Sequence, residues 1–144
     1  MPAPARGRLR ILFVCVGNAG RSQMAEAFAL SLGAEAASAG TVPAASMNAA
    51  VVQVMKEKGL DISARSPKLL TLEMIDRAEV VVTMGCSVEA VCPRPILARM
   101  QKNLVEWHID DPKGKTLDEV RAIRDEVERN VRSLAEPGSG SAVV

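Results

Sequence analysis

Aromatic side chains are almost missing from this chain of 144 residues. Phenylalanine, tryptophan and tyrosine together make up 2% of it, and tyrosine is absent altogether. A core built on stacked aromatic rings is therefore excluded. Hydrophobic residues nevertheless account for 48% of the chain, and its length is that of one compact domain. The core must be assembled from alanine, valine, leucine, isoleucine and methionine.

Neither an excess of one charge nor a long apolar run is present. The formal net charge is +1, which gives no argument for nucleic acid or a membrane surface as a partner. The longest apolar run, residues 11–16, is too short to span a bilayer, and no small-residue cleavage site follows it. These absences predict a cytoplasmic protein without nucleic-acid or membrane partners, whose three cysteines are reduced thiols at rest.

Four apolar, β-rich runs predict strands, at residues 9–14, 36–39, 79–84 and 104–109. They alternate with segments of helical spacing. This alternation predicts an α/β fold, a single-domain three-layer sandwich with a four-stranded parallel sheet. The domain is expected to span residues 9–135, between a flexible N-terminus at 1–8 and a disordered Gly/Ser-rich tail at 136–144.

Capping residues mark the ends of the predicted helices. Gly33 and Gly59 stand just after the first two helical stripes. Thr116-Leu-Asp-Glu119 is a capping box before the clearest amphipathic stripe in the chain. Residues 86–95 are expected to form a loop or a broken helix, since two prolines interrupt them. The residues predicted to cap helix N-termini are Ser22, Ser46, Thr71 and Thr116.

The segment Cys15-Val-Gly-Asn-Ala-Gly-Arg21 lies between the first predicted strand and the first predicted helix. A buried strand can fix Cys15 at its end, while Gly17 and Gly20 can take backbone angles that other residues avoid. Such a loop aims successive N–H groups into one hollow, and the helix start adds positive potential that favours an anion and a thiolate. Arg21 can offer a planar fork to two oxygens of a tetrahedral dianion.

Cys15 is therefore the candidate nucleophile of an oxyanion site. Ser22 can hydrogen-bond its thiolate, and Asn18 can brace the loop from within. The alternative interpretation is a buried structural cysteine beside a helix-capping serine. The predicted oxyanion-binding residues are Val16, Gly17, Asn18, Ala19, Gly20, Arg21 and Ser22.

Val14-Cys-Val-Gly-Asn-Ala-Gly-Arg-Ser-Gln-Met-Ala-Glu26 resembles the low-molecular-weight protein tyrosine phosphatase family, in its arsenate reductase branch. The resemblance continues through Ser38-Ala-Gly40, Val81-Val-Thr-Met84 and Asp110-Asp-Pro-x-Gly-Lys115. It covers nearly the whole chain apart from both termini. It implies a low-molecular-weight phosphatase-like fold and an enzyme that acts on an arsenate- or phosphate-like oxyanion.

Three positions favour the reductase branch over the phosphatases. Gln23 follows Arg-Ser where the phosphatases usually have proline, and Gly20 stands where they carry a second cysteine within the loop. Asp111-Pro112 is followed by Lys113, whereas the phosphatases have a tyrosine there that contributes to a crevice for phosphotyrosine. The implied activity is the reduction of arsenate to arsenite for arsenic detoxification.

The resemblance also implies a role for Cys86 and Cys92. Cys86 would attack Cys15 to release arsenite, and Cys92 would then attack Cys86 and leave a surface disulfide for an external reductant. Thioredoxin is a suitable reductant for a surface dithiol, and another thiol reductant is the alternative. Either cysteine could instead be a small buried hydrophobe. A zinc site from the three cysteines and His108 lacks any short paired spacing, so neither a metal nor a cofactor is expected.

Asp111 is implied as the general acid that protonates the departing oxygen. The alternatives are a turn residue before Pro112 and, as the acid, Asp110. His108, the only histidine, is expected to be structural.

Some members of the family bind a potassium ion beside the loop, through residues that match Asn18, Glu26 and Ser38 together with a carboxylate. Lys68 stands at the position of that carboxylate. Its ammonium group could fill the place of the cation and pair with Glu26. The alternative is an ordinary surface lysine.

Two other functions compete with arsenate reduction. The same loop would serve a phosphatase for phosphotyrosine or small phosphate esters, with water cleaving a phospho-Cys15 intermediate. The cysteines could also belong to an oxyanion or arsenic sensor without catalytic activity. A monomer is expected in each case.

Overall fold

The computed structural model of this protein describes residues 9–84 and 104–135. The strands are β1 (Arg10–Cys15), β2 (Glu35–Gly40), β3 (Val80–Met84) and β4 (Leu104–Trp107). The helices are α1 (Arg21–Ser31), α2 (Ala49–Lys56), α3 (Leu72–Arg77) and α4 (Leu117–Ala135). The predictions for the N-terminus at 1–8, the loop at 86–95 and the tail at 136–144 lie outside the described residues.

The four strands form one parallel sheet in the order β2-β1-β3-β4, which confirms the predicted α/β architecture. Side chains of β1 alternate between its two faces. Ile11, Phe13 and Cys15 pack with the buried sides of α1, α2 and α4, whereas Leu12 and Val14 pack with Ile75 of α3. Helices therefore cover both faces of the sheet, and β1 at its centre carries Cys15 at its carboxyl end.

The buried core is mainly aliphatic, as the composition predicts. Phe13 and Phe28 are its buried aromatic residues among those described. The ring of Phe13 lies 5.9 Å from that of Trp107, in a tilted arrangement. The remaining volume is filled by valine, leucine, isoleucine, methionine and alanine.

Several of the predicted helix ends are confirmed. Thr71 Oγ1 accepts the Met74 N–H at 3.2 Å at the start of α3. In the capping box of α4, Thr116 Oγ1 accepts the N–H of Glu119 at 3.2 Å, and Glu119 Oε1 accepts the N–H of Thr116 at 2.9 Å. Gly33 and Gly59 have positive φ angles of +91° and +78° after α1 and α2.

Two predicted caps are wrong. Gly20 is the N-cap of α1 and provides no side-chain cap; Ser22 lies inside the helix, where its hydroxyl binds other partners. Asn48, not Ser46, caps α2, and its Oδ1 accepts the N–H groups of Ala50 and Val51 at 2.9 and 3.3 Å. No helix within residues 9–84 and 104–135 is both long and apolar enough to cross a membrane.

Candidate active site

The loop between β1 and α1 is tied to residues 41–48, which follow β2. Backbone N–H groups of this 41–48 segment bind four carbonyls of the loop on its outer side. The bonds run from Thr41 to Cys15 at 3.2 Å, from Val42 to Val16 at 2.9 Å, from Ala44 to Gly17 at 2.9 Å and from Asn48 to Ala19 at 3.0 Å. With the carbonyls bound on the outside, the N–H groups of the loop are left to face the other way.

These N–H groups form the wall of a hollow at the start of α1. Those of Gly17, Ala19 and Gly20 have no acceptor among the residues that the structure describes. The first turn of α1 adds further N–H groups that no preceding turn can bind. A ring of N–H groups at a helix N-terminus is a favourable place for an anion.

The left-handed position of the loop is Asn18, with φ of +52°, whereas neither Gly17 nor Gly20 has a positive φ. Asparagine tolerates this region better than most residues with a side chain. The expectation of unusual backbone angles is confirmed at Gly20, whose φ of −145° and ψ of −88° lie outside the helical and extended regions. A close contact is a second reason for glycine at position 20. A Cβ atom there would lie 2.8 Å from Pro112 Cγ, so the loop and the segment that carries Asp111 touch at this point.

The Cys15 sulfur receives hydrogen bonds from two sides. It accepts the N–H of Asn18 at 3.2 Å and lies 2.9 Å from Ser22 Oγ. Ser22 Oγ accepts a hydrogen bond from Asn18 Nδ2 at 2.7 Å, and its own proton is available to the sulfur when Cys15 is a thiolate. Two donors on one sulfur stabilise a thiolate, which is the nucleophilic form of cysteine.

The Asn18 side chain is the centre of this arrangement. The backbone N–H of Lys68 donates to Asn18 Oδ1 at 2.9 Å, which fixes the orientation of the amide. Asn18 Nδ2 therefore donates to Ser22 Oγ and, at 3.0 Å, to Ser38 Oγ. Ser38 Oγ in turn donates to Glu26 Oε1 at 2.6 Å. A directed chain of hydrogen bonds thus runs between Glu26 and Cys15.

Gln23 is a second side chain that holds the loop in place. The sequence analysis identified it only as a residue that distinguishes the reductase branch. Its side chain is fully buried, and Nε2 lies within hydrogen-bond distance of the Asn18 carbonyl at 3.2 Å and of Asn18 Oδ1 at 3.0 Å. The same Nε2 reaches the Ser66 carbonyl at 3.2 Å. Gln23 thereby connects α1, the loop and the chain near residue 66.

Two cationic side chains face Glu26. Arg65 Nη1 lies 3.0 Å from its Oε2, and Lys68 Nζ lies 3.8 Å from its Oε1. Lys68 is thus paired with Glu26, as expected for an ammonium group in place of a cation. Asn18 Oδ1 already accepts hydrogen bonds, and Glu26 has two positive neighbours, so these residues do not fit a potassium ion.

Arg21 and Asp111 stand opposite each other across the hollow. The Arg21 side chain is 6% exposed, and its Nη1 donates to the Ile109 carbonyl at 3.0 Å. Its Nη2 lies 3.9 Å from Asp111 Oδ2. Asp111 Oδ1 accepts the N–H of Lys113 at 3.0 Å, so Oδ2 is the oxygen that faces Arg21.

A cavity of about 390 Å³ joins these groups. Asp111 lines it, whereas Asp110 and the exposed His108 do not. No aromatic side chain is among its lining residues within the described part of the chain. The lining consists of residues 15–21, Val42, Ala44, Ser46, Asn48, Asp111, Pro112 and Lys113.

Cys86 and Cys92 lie outside the described residues, so their distance from Cys15 is not part of this geometry. Within residues 9–84 and 104–135, no group of three or more histidine, cysteine or acidic side chains could hold a metal ion.

Cys15, Arg21 and Asp111 thus surround one hollow of backbone N–H groups at the carboxyl end of a parallel α/β sheet. The family model described as low molecular weight phosphotyrosine protein phosphatase matches residues 10–139. The chain belongs to this family.

Relatives within the family include both reductases and phosphatases. A Brevibacillus brevis protein named arsenate reductase is 36% identical over 131 residues, which cover 89% of this chain and 95% of the relative. The YwlE arginine phosphatase of Geobacillus stearothermophilus is 31% identical, with a TM-score of 0.77 and coverage of 88% and 90%. A structure described as an arsenate reductase in the phosphate binding state is 27% identical, with a TM-score of 0.76 and coverage of 94% and 99%.

Proposed function

We propose that this protein reduces arsenate to arsenite, with Cys15 as the nucleophile. The observation that carries the proposal is the Cys15 sulfur, which accepts the N–H of Asn18 and lies 2.9 Å from Ser22 Oγ at the edge of a hollow of inward-facing N–H groups. The Brevibacillus brevis relative named arsenate reductase supports the choice of oxyanion. A cavity lined by small and polar side chains suits a small tetrahedral anion better than an aromatic ester.

The first step forms a bond between Cys15 Sγ and arsenic. Arg21 and the N–H groups of the loop hold the arsenate oxygens, and the sulfur attacks arsenic(V). Asp111 gives its proton to the departing oxygen, which leaves as water. We assign this role to Asp111 rather than Asp110, and the position of Asp111 in the cavity lining and beside Arg21 supports the assignment.

The second step transfers two electrons. The Cys86 thiolate attacks Cys15 Sγ, the sulfur–arsenic electron pair stays on arsenic, and arsenite leaves with a Cys15–Cys86 disulfide behind it. Cys92 then attacks Cys86, which frees Cys15 and forms a Cys86–Cys92 disulfide. An external dithiol such as thioredoxin restores the resting protein, so each arsenate consumes two reducing equivalents.

A phosphatase is the second candidate, because the same described groups are sufficient for it. Cys15, Arg21 and Asp111 can cleave a phosphate ester through a phospho-cysteine intermediate that water resolves. The similarity to the YwlE arginine phosphatase favours testing phosphate esters beside arsenate. The two reactions differ in their second nucleophile, which is a thiol in one and water in the other.

Cysteine variants separate the two reactions. We expect Cys86→Ser to stop arsenate turnover with thioredoxin while leaving the hydrolysis of an aryl phosphate intact. Cys92→Ser should allow one turnover and then stall with Cys15 joined to Cys86. Mass spectrometry after one equivalent of arsenate should find Cys86–Cys92 in the wild type and Cys15–Cys86 in the Cys92 variant.

Cys15→Ser is the control that removes both activities. Because serine is nearly isosteric with cysteine, loss of packing does not account for a selective loss of arsenate turnover. Normal turnover with thioredoxin in both the Cys86 and the Cys92 variants would contradict the relay. If the wild type hydrolyses an aryl phosphate but does not reduce arsenate, the protein is a phosphatase instead.

A further inference from the structure

Glu26 is an enclosed carboxylate that no step of the proposed reaction uses. Its side chain is 11% exposed and lies on α1, behind the oxyanion loop rather than in the cavity. An enclosed carboxylate is costly unless a positive group and hydrogen bonds compensate it. Arg65 provides the nearer positive group, with Nη1 at 3.0 Å from Glu26 Oε2. We propose that Arg65 is a positioning residue for Cys15, acting through Glu26, Ser38, Asn18 and Ser22.

The charge of Glu26 sets the direction of the first hydrogen bond in this chain and holds Ser38 against Asn18, whose amide is oriented by the Lys68 N–H. An ionised carboxylate only accepts, so Ser38 must donate to it. The free lone pairs of Ser38 then face Asn18 Nδ2, whose second proton goes to Ser22. Ser22 Oγ lies 2.9 Å from the Cys15 sulfur and can donate its own proton to the thiolate. A protonated Glu26 could donate a hydrogen bond itself, and Ser38 would then no longer be required to donate to it.

Arg65 rather than Lys68 carries most of this effect. Lys68 Nζ is 3.8 Å from Glu26, and its side chain is 40% exposed, so solvent weakens the pair. Its closer link to the site is its backbone N–H on Asn18 Oδ1, which any residue except proline would keep. The guanidinium of Arg65 is nearer and less exposed, at 29%.

The test is the reactivity of Cys15 toward iodoacetamide between pH 5 and 9. Alkylation is measured on the tryptic peptide of residues 11–21, which separates Cys15 from the other two cysteines. Arg65→Ala should slow alkylation at neutral pH by roughly 2- to 30-fold, the range of substitutions that act through a network. The pH midpoint of alkylation should rise. Arg65→Lys should recover most of the rate.

Arg77→Ala is the matched control, because Arg77 is an exposed arginine paired with Glu73 on α3, away from the site. It should react as the wild type does. Thermal unfolding of each variant separates a local effect from general loss of structure. The proposal would be overturned if the Arg65→Ala variant were alkylated at the wild-type rate across the whole pH range.

A double-mutant cycle with Glu26→Gln tests the route. If Arg65 acts through Glu26, adding Arg65→Ala to Glu26→Gln should change the alkylation rate by less than about twofold. Full additivity would show that Arg65 acts by its charge alone and would refute the route. Exchange of potassium for sodium at fixed ionic strength should leave the wild-type rate unchanged; marked potassium activation would contradict Arg65 as the counter-charge.

This inference rests on the proposed role of Cys15 as the reactive thiol. It needs neither arsenate nor a reductant, because alkylation reports the thiolate directly. Failure of arsenate reduction would therefore leave the result on Arg65 standing. Loss of the Arg65 effect would equally leave the assay of arsenate turnover unaffected.

Discussion

The two sides of the cavity are built in opposite ways. The loop at residues 15–21 is largely buried, and four of its carbonyls are tied to the 41–48 segment. The facing segment presents Asp111 with a side chain that is 61% exposed. Asp111 is bound by the Lys113 N–H and lies 3.9 Å from Arg21.

This difference corresponds to two different tasks. Electrostatic stabilisation of an anion depends on donors that are already in position before the anion arrives. A proton donor needs only to reach one oxygen of the bound substrate, and its hydrogen bonds tighten in the complex. We infer that changes on the loop side affect stability and binding together, whereas changes on the Asp111 side affect turnover alone.

The largest expected effect is that of Asp111→Asn. It should lower turnover by about 10²- to 10⁴-fold, the usual contribution of a general acid. Binding of phosphate as a competitive inhibitor should be largely retained, since Arg21 and the loop are unchanged. Asp110→Asn is the control and should be close to wild type. Severe loss in Asp110→Asn with a mild effect in Asp111→Asn would reverse the assignment.

Gly40→Ala should have a smaller effect that falls on stability and binding together. A Cβ atom at Gly40 would lie 2.5 Å from the Val16 carbonyl, which belongs to the loop backbone. We expect a loss of about 1–3 kcal/mol in the free energy of unfolding, as for overpacking, together with weaker phosphate binding. Both are measurable by urea denaturation and by titration calorimetry.

Gly17→Ala is the paired control, because its added Cβ would have Ala44 Cβ at 3.8 Å as its nearest neighbour. It should be tolerated much better. Equal loss of stability in the two variants would show that close approach to the loop backbone is not what Gly40 provides.

The smallest effect should come from Glu57, at the far end of α2 from the loop. The hydrogen bond from Arg121, followed by that from Arg124, lowers the pKa of Glu57 from 4.5 to about 2. Its stabilising contribution is therefore complete above pH 4.5 and is lost as the pH falls toward 2. Urea unfolding of Glu57→Gln and wild type should differ at pH 7 and converge in acid, with equal activity at pH 7.

A difference that persists unchanged at the acid end would show that the pairing of Glu57 with Arg121 and Arg124 does not stabilise the fold through charge. Lower activity of Glu57→Gln at neutral pH would show that this end of α2 is coupled to the site.

Local patterns predicted the elements but not the contacts between them. The apolar runs identified all four strands, and the Thr116–Glu119 pair identified the start of α4, because these signals lie within a few residues. The cap at Ser46 was wrong because Asn48 two residues later is an equally suitable cap and also binds Ala19.

The same distinction between local patterns and long-range contacts applies to the site. The loop itself could be predicted from its place between a strand and a helix. The roles of Gln23 and Arg65 could not, since their partners lie far along the chain at Ser66 and Glu26. Ser22 shows the same limit, because a serine near a helix start can cap the helix or, as here, bind Cys15.

The outward-bound carbonyls of the loop have a consequence for divergence. Because backbone N–H groups form the hollow, the side chains of Val16 and Ala19 can be replaced without dismantling it. Selection can then alter what enters the cavity, or which second nucleophile reaches Cys15, while the anion pocket is inherited unchanged. A descendant of such a chain could exchange water for a thiol, and so hydrolysis for reduction, by changes made entirely outside the loop.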